Sequence, residues 1–384
     1  MDLADKIIGK LKKFYKNKKT FLHEPFFSKI DKNNLKNCID STYVSTSGKY
    51  LERFERKIKE YTKAKYVILT NSATSALHLA LIASGVKRED EVLLPNLNYI
   101  AASNCVKYIG AETHLVDIGE DLGIDVKKLD YYLSKTTKIK NGKCYNLKTK
   151  KIIKALVLLH PFGHAADIIR LKYVCNKYKI FLIEDSAECL GSFFNKRHLG
   201  TFAKIGIISF NGNKIITTGG GGAILTDIKK LYLDMKILCR TGKINHPWQY
   251  KYKFLGYNYG MTNLSASLGL SQIKKINNLI KKKRKLFRIY SGLFKNIKDI
   301  KVFKEKKNVR SNYWLQNIII KNSNSKIHNK ILQKLNKHNI CARPAWVLLN
   351  NVKYLANSPK MNLSNSKKIY TSLISLPSGP KLIN

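Results

Sequence analysis

Ser209-Phe210-Asn211-Gly212-Asn213-Lys214-Ile215-Ile216-Thr217-Thr218-Gly219-Gly220-Gly221-Gly222 sets one lysine between the end of an apolar strand and a run of four glycines. The strand before it, Ile205 to Ser209, has a counterpart upstream: Ile180 to Ile183 runs into Glu184-Asp185-Ser186-Ala187-Glu188, which delivers a carboxylate 29 positions before Lys214. In an open α/β sheet, ligands bind in the crevice outside the carboxyl ends of the strands. Two such ends, one carrying Asp185 and the other Lys214, therefore predict an acid and an amine in one crevice.

The chain has 71 Lys plus Arg, so any single lysine is by default a solvated surface charge. Context separates Lys214 from the rest. Ile205 to Phe210 on one side and Ile215, Ile216 and the glycines on the other withdraw it partly from water and leave a nucleophilic amine. Glycines also mark plain tight turns, so the run alone says little. A Schiff-base lysine and a carboxylate that keeps a pyridine nitrogen protonated are the two side chains that pyridoxal 5'-phosphate needs most.

At 384 residues and 44% hydrophobic content, the chain is long enough for two domains, or one large domain with an appendage, around a sizeable core. No apolar run reaches the roughly 18 to 20 residues of a membrane span, and Met1 to Lys19 lacks an apolar signal-peptide core, so the chain reads as cytoplasmic. Its formal net charge of +46 is the footprint of a nucleic-acid binder, but the lysines are spread from end to end among Asn and Ile, which argues against one selected patch and against a nucleic-acid partner. The densest run, Lys281 to Lys285, lies among Ile273, Ile276, Ile280, Leu286, Tyr290 and Leu293 at helical spacing and reads as the wet face of a helix. Lys10 to Lys19 follows Ile7, Ile8, Leu11 and Phe14, an amphipathic basic helix expected to pack on the protein body, with a membrane-surface role as the lesser reading. Seven scattered cysteines without a Cys-x-x-Cys pair read as free thiols. His160 and His164 are interrupted by Pro161 and Gly163 and have no further ligands, so no metal site is expected.

Residues 60 to 230 alternate apolar strands with helical segments, the pattern of an α/β layer with a mostly parallel sheet. Tyr66 to Leu69 leads through Asn71 to Ser75 into a helix from Ala76 to Ser84, a helix start that can hold a phosphate or simply cap itself with Ser and Asn. Glu91 to Leu94 leads to Asn98-Tyr99, where Tyr99 can lie over a planar ring, and Ala155 to Leu159 leads to His160-Pro161-Phe162-Gly163. From about Gly256 the pattern becomes a long helix (Asn263 to Phe294), a strand (Trp314 to Ile320) and a helix (Ser325 to His338), which reads as a smaller α+β domain.

From about residue 5 onward, the chain resembles the DegT-type nucleotide-sugar aminotransferases, a branch of the fold-type I pyridoxal-phosphate enzymes. The resemblance is carried by Asp40 to Tyr50 (DSTYVSTSGKY), the Asn71 to Ala76 turn, Ile183 to Gly191, the Ser209 to Gly222 loop and Gly256-Tyr257-Asn258-Tyr259. The run from Ser47 to Glu55, His246-Pro247-Trp248 and Ala342 to Trp346 resemble the subgroup that aminates UDP-4-keto-6-deoxy-N-acetylglucosamine for bacillosamine or legionaminic acid synthesis. What this implies is an α/β fold-type I aminotransferase: an N-terminal helical arm (1–49), a large cofactor-binding domain with a mostly parallel sheet (50–255) and a smaller α+β C-terminal domain (256–384). It also implies roles for individual residues. Lys214 is nucleophile and general base, Asp185 pairs with the pyridine nitrogen, Tyr99 stacks on the ring and Glu188 lies near the phenolic oxygen. Ser72, Ala73, Thr74 and Ser209 hold the phosphate, joined by Asn258 from the neighbouring subunit of a homodimer. Glutamate is the implied amino donor and a nucleotide-linked 4-keto sugar the acceptor. The chain departs from the family pattern at Gly260, where related sequences usually carry an arginine, a charge that Arg240 or one of the nearby lysines can replace. Two other readings remain open: amination of a GDP-linked keto sugar, or a noncatalytic basic protein that binds nucleic acid or a membrane surface.

Overall fold

The computed structural model describes residues 2–383. A seven-stranded sheet is built from β1 (Tyr66–Thr70), β2 (Glu91–Pro95), β3 (Glu112–Val116), β4 (Ile153–Leu159), β5 (Phe181–Asp185), β6 (Ile205–Ser209) and β7 (Gly222–Thr226), in the order β1-β7-β6-β5-β4-β2-β3. The pairs from β6 to β3 are parallel, whereas β7 runs antiparallel to both β1 and β6. Strands β2, β6 and β7 are buried along their whole length, as their unbroken apolar runs require of a sheet covered on both faces.

Three helices precede the sheet: α1 (Leu3–Tyr15), α2 (Lys29–Asp40) and α3 (Lys49–Thr62). Between strands run α4 (Ala73–Ala83), α5 (Ile100–Tyr108), α6 (Val126–Thr136) and α7 (Ile168–Lys177), and α8 (Lys229–Cys239) follows the sheet. Helix α4 starts three residues earlier than the sequence pattern suggests, because Ser72 caps it by accepting from the Ser75 N–H at 3.0 Å.

The expected long helix from Asn263 to Phe294 is in fact two, α9 (Asn263–Ile273) and α10 (Ile276–Phe294). The break has a cause in α2. The buried Asp31 accepts from Ser271 Oγ (2.6 Å) and Gln272 Nε2 (3.1 Å) and pairs with Lys275, so the chain turns around that carboxylate instead of running straight past it.

A second, antiparallel sheet, β8 (Ile300–Val302), β9 (Gln316–Ile320), β10 (Arg343–Pro344) and β11 (Leu373–Leu376), has the order β8-β9-β11-β10 and packs with α10, α11 (Ser325–Lys337) and α1. Helix α1 buries Ile7, Ile8, Leu11 and Tyr15 in this cluster, so its apolar stripe is covered and its lysines face outward. Among the described residues, no helix is long and apolar enough to cross a membrane.

The wet-face expectation for Lys281 to Lys285 holds at the two ends of the run, weakens at the half-buried Lys282 and Arg284, and fails at Lys283. Lys281 and Lys285 are exposed, but Lys283 lies on the buried side of α10, between Ile280 and Leu286, with 1% of its surface accessible. Its Nζ donates to two main-chain carbonyls that no local pattern announces.

Candidate active site

The C-terminal ends of β1, β2, β5 and β6 open on one cavity of about 370 Å³. Ser72, Ala73 and Thr74 line one wall, Tyr99 another, and Asp185, Glu188, Ser209 and Lys214 the remainder. Eight of the nine residues expected from sequence thus share one space. Asn258 does not. It is exposed, outside the cavity of its own chain, and its carbonyl accepts from Asn71 Nδ2 at 3.3 Å.

The lysine loop owes its shape to β7. Ser209 pairs with Gly222 across the sheet, and the loop between them is closed by Phe210 N–H to Gly221 O and Thr218 N–H to Phe210 O, each 2.9 Å. Within it, a turn from Asn211 to Lys214 (3.0 Å) aims Lys214 inward. Gly222 is glycine for a reason of space: a Cβ there would stand 2.6 Å from Ala73 N, so any side chain would push β7 off the start of α4.

Lys214 Nζ lies 3.4 Å from Glu188 Oε1 and 3.8 Å from the centre of the Trp314 ring, with 13% of the side chain exposed. Glu188 receives the Phe162 N–H on its other oxygen at 2.6 Å. Phe162 holds a left-handed φ of 54° to make that bond, a conformation disfavoured for a bulky residue and typical of sites whose geometry is imposed from outside. Burial pushes the Glu188 carboxyl up to about 7, against the pull of Lys214 and the Phe162 N–H. Asp185 is likewise raised by burial, opposed by the Ala187 N–H and by Lys214.

Directly behind Asp185, Glu184 and His160 form a wholly buried pair at 2.9 Å. His160 Nδ1 accepts from the Ala166 N–H, so Nε2 is the donor to Glu184. Burial opposes ionisation of Glu184, but His160 and the N–H groups of Gly200 and Ala203 outweigh it and hold the carboxyl below its ordinary value. These bonds fix the ends of β4 and β5 relative to each other. His164 faces elsewhere, edge-on to Phe303 and Tyr313, with its pKa drawn down to about 3 by burial and then by Arg284. Among the described residues, no group of three or more His, Cys, Asp or Glu is arranged to hold a metal ion.

This geometry belongs to a known class. Residues 27–384 match the model of the DegT/DnrJ/EryC1/StrS aminotransferase family. The chain belongs to this family. It is 34% identical to the GDP-perosamine synthase of Escherichia coli O157:H7 over 82% of each chain, and 32% identical to the UDP-4-amino-4,6-dideoxy-N-acetyl-beta-L-altrosamine transaminase of Campylobacter jejuni over 70% of this chain and 69% of that one. The solved structure of PseC of Helicobacter pylori, an aminotransferase involved in the biosynthesis of pseudoaminic acid, superposes with a TM-score of 0.83 at 25% identity over 94% of each chain. The protein is a pyridoxal-phosphate-dependent nucleotide-sugar aminotransferase, which favours the catalytic reading over that of a basic binding protein.

The cavity of this aminotransferase fits the cofactor on its own evidence. The N–H groups of Ala73 and Thr74, at the first turn of α4, have no acceptor within the helix and open on the cavity, as a phosphate requires. Asn98, also on the cavity wall and 1% exposed, has neither its amide oxygen nor its nitrogen satisfied by protein, so the site presents both a donor and an acceptor to a polar guest.

Sequence reasoning passed over four residues here. Asn98 was visible only as part of a helix start. Phe162 was visible as a strand end, but its bond to Glu188 was not. Trp314 reads as the beginning of a strand, yet β9 starts at Gln316, and Trp314 instead caps Lys214. Asn312 donates to the carbonyls of Glu188 (2.8 Å) and Leu190 (3.0 Å) from over 120 residues away, and no local signal announces it.

Near Gly260, Lys236 and Arg240 line a small hollow with Glu55 and Thr46. Burial raises the Glu55 carboxyl, against the pull of those two cations. Positive charge is thus present beside Gly260.

Proposed function

We propose that the chain moves an amino group from glutamate to the C4 keto carbon of a nucleotide sugar, with UDP-4-keto-6-deoxy-N-acetylglucosamine as the acceptor. The observation that carries this reading is the convergence of Lys214, Asp185 and the free N-terminus of α4 on one cavity. Pyridoxal phosphate, when bound, supplies an electron sink for the negative charge left on carbon after proton loss.

Lys214 Nζ would hold the cofactor as its nucleophile and, as a free amine, would be the base that takes a proton from one carbon and returns it to another. Glu188 is the nearest group to accept charge from that amine and, with its raised pKa, carries a proton to share near neutrality. Asp185, whose burial disfavours a bare carboxylate, would pair with the ring nitrogen of the cofactor and favour its protonated form. Ser72, Ala73, Thr74 and Ser209 bind the phosphate, the first three through the start of α4, and the exposed Tyr99 closes over the ring. Asn258 serves the cavity of a second copy, which makes the working unit a homodimer of chains with the arm, large and small domains divided near residues 50 and 256.

The UDP reading is supported by the His246 to Trp248 and Ala342 to Trp346 segments, the latter bringing Trp346 to the cavity wall. A second acceptor, a GDP-linked 4-keto-6-deoxymannose, is supported by the likeness to GDP-perosamine synthase. Incubation with glutamate and a panel of UDP-, GDP- and TDP-linked 4-keto sugars, followed by mass spectrometry of the products, decides between them. Amination of the UDP sugar is the expected result. Amination of the GDP sugar alone replaces the first reading with the second, and no amination of any member overturns both.

A further inference from the structure

We propose that Lys283 is a positioning residue for amino transfer, acting on Lys214 through Trp314. The inference rests on Lys214 being the reacting amine. Lys283 Nζ donates to the carbonyl of Trp314 at 2.9 Å and to that of Ser378 at 2.6 Å, and it pairs with no carboxylate among the described residues. Burial takes its pKa well below the ordinary lysine value. For stability alone, a buried amine without a counter-ion is a poor choice, since an apolar side chain of similar volume is often neutral or better.

What the amine holds explains its presence. The Trp314 indole N–H donates to the carbonyl of Asn213, the residue before Lys214, at 2.6 Å, while the face of the same ring covers Lys214 Nζ. Its main-chain N–H donates to Asn312 Oδ1 at 2.8 Å, and Asn312 in turn grips the loop that carries Glu188. Residues 312 to 314 therefore bracket both partners of the 3.4 Å Lys214–Glu188 contact. Arg284, one residue along α10, secures the neighbouring Ser311 carbonyl at 2.8 Å and pairs with Glu305, whereas Lys283 bonds to Trp314 itself. A sideways shift of Trp314 moves the lysine loop and uncovers its amine together.

The test uses the cofactor-loaded enzyme and the cofactor-free protein, with Lys283→Met, Lys283→Gln, Trp314→Phe and the double variant Lys283→Met/Trp314→Phe. In the loaded enzyme, Lys283→Met is expected to lower kcat roughly 10- to 100-fold, the scale of a small misplacement of a reacting group, with KM for the keto sugar within about two-fold. Lys283→Gln, which keeps a donor, recovers part of that loss. The double variant loses less than the product of the single losses, because both changes cut the same connection. In the cofactor-free protein, reductive methylation of Lys214 by formaldehyde and cyanoborohydride, followed by peptide mass spectrometry, is faster in Lys283→Met and Trp314→Phe than in wild type.

A lowered melting temperature with unchanged kcat and unchanged methylation overturns the proposal and leaves Lys283 a structural tie. If Lys283→Met does not fold, wild-type kcat and methylation in Trp314→Phe overturn it equally. The premise is tested separately: turnover retained in Lys214→Ala removes the reading of Lys214, whereas loss of turnover there beside a fully active Lys283→Met removes only this inference.

Discussion

Lys214 and Lys283 are both largely withdrawn from water, but by different means. Lys214 sits at the mouth of a cavity with a carboxylate on one side and an indole on the other, where it can be reached, displaced and recharged. Lys283 sits in the body of α10, hydrogen-bonded to two main-chain carbonyls and outside the cavity, with the buried His23 near enough to feel its charge. The first environment suits an amine that reacts and the second an amine that holds. On the proposed reading, burial alone does not mark a catalytic lysine; an adjoining space for the substrate is also required.

The contrast is tested most severely at Lys214 itself. Lys214→Ala is expected to reduce amino transfer by about 10⁴-fold or more, because it removes both the nucleophile and the base; a variant within about a hundred-fold of wild type in a discontinuous product assay breaks the comparison.

A smaller effect concerns the carboxylate that only Lys214 has. With an ordinary glutamate value of 4.5 and a folded value of about 7, Glu188 keeps its proton in the folded protein after the unfolded chain has lost it. Its contribution to stability is most favourable below about pH 4.5, declines as pH rises from there to about 7, and is level above that. Glu188→Gln should narrow the fall in melting temperature of the cofactor-free protein between pH 4.5 and pH 8. An unchanged pH profile shows that Glu188 titrates normally.

The smallest effects are expected beside Lys283. Lys281→Met and Lys285→Met alter exposed positions and should change unfolding free energy by no more than about 0.5 kcal/mol, with wild-type kcat. Comparable losses at either position trace the effect of Lys283→Met to the basic run as a whole.

Much of this was legible in the sequence because the relevant signals are local. Apolar runs that stop at polar residues locate the strand ends, and Asp185, Tyr99, Ser209 and Lys214 lie at or just past them. The start of α4 was legible from Asn71 and Ser72 for the same reason. The kink between α9 and α10 was not, since it depends on Asp31 more than 230 residues earlier. Lys283 was hidden in a different way. Its helical phase does place it between Ile280 and Leu286, but four basic neighbours make the whole run look solvated, and the carbonyls that accept its protons are 31 and 95 residues away. Asn258 was expected through resemblance alone, and its own chain gives it no place in the cavity.

The antiparallel return of β7 beside β6 has a consequence for ligand affinity. Because Ser209 and Gly222 face each other across the sheet, the two ends of the lysine loop are fixed by the same ladder that holds the core. The entropy of closing that loop is lost when the chain folds, not when a ligand arrives. A cofactor entering the cavity therefore meets an amine whose freedom is already spent, and more of its contact energy remains as binding.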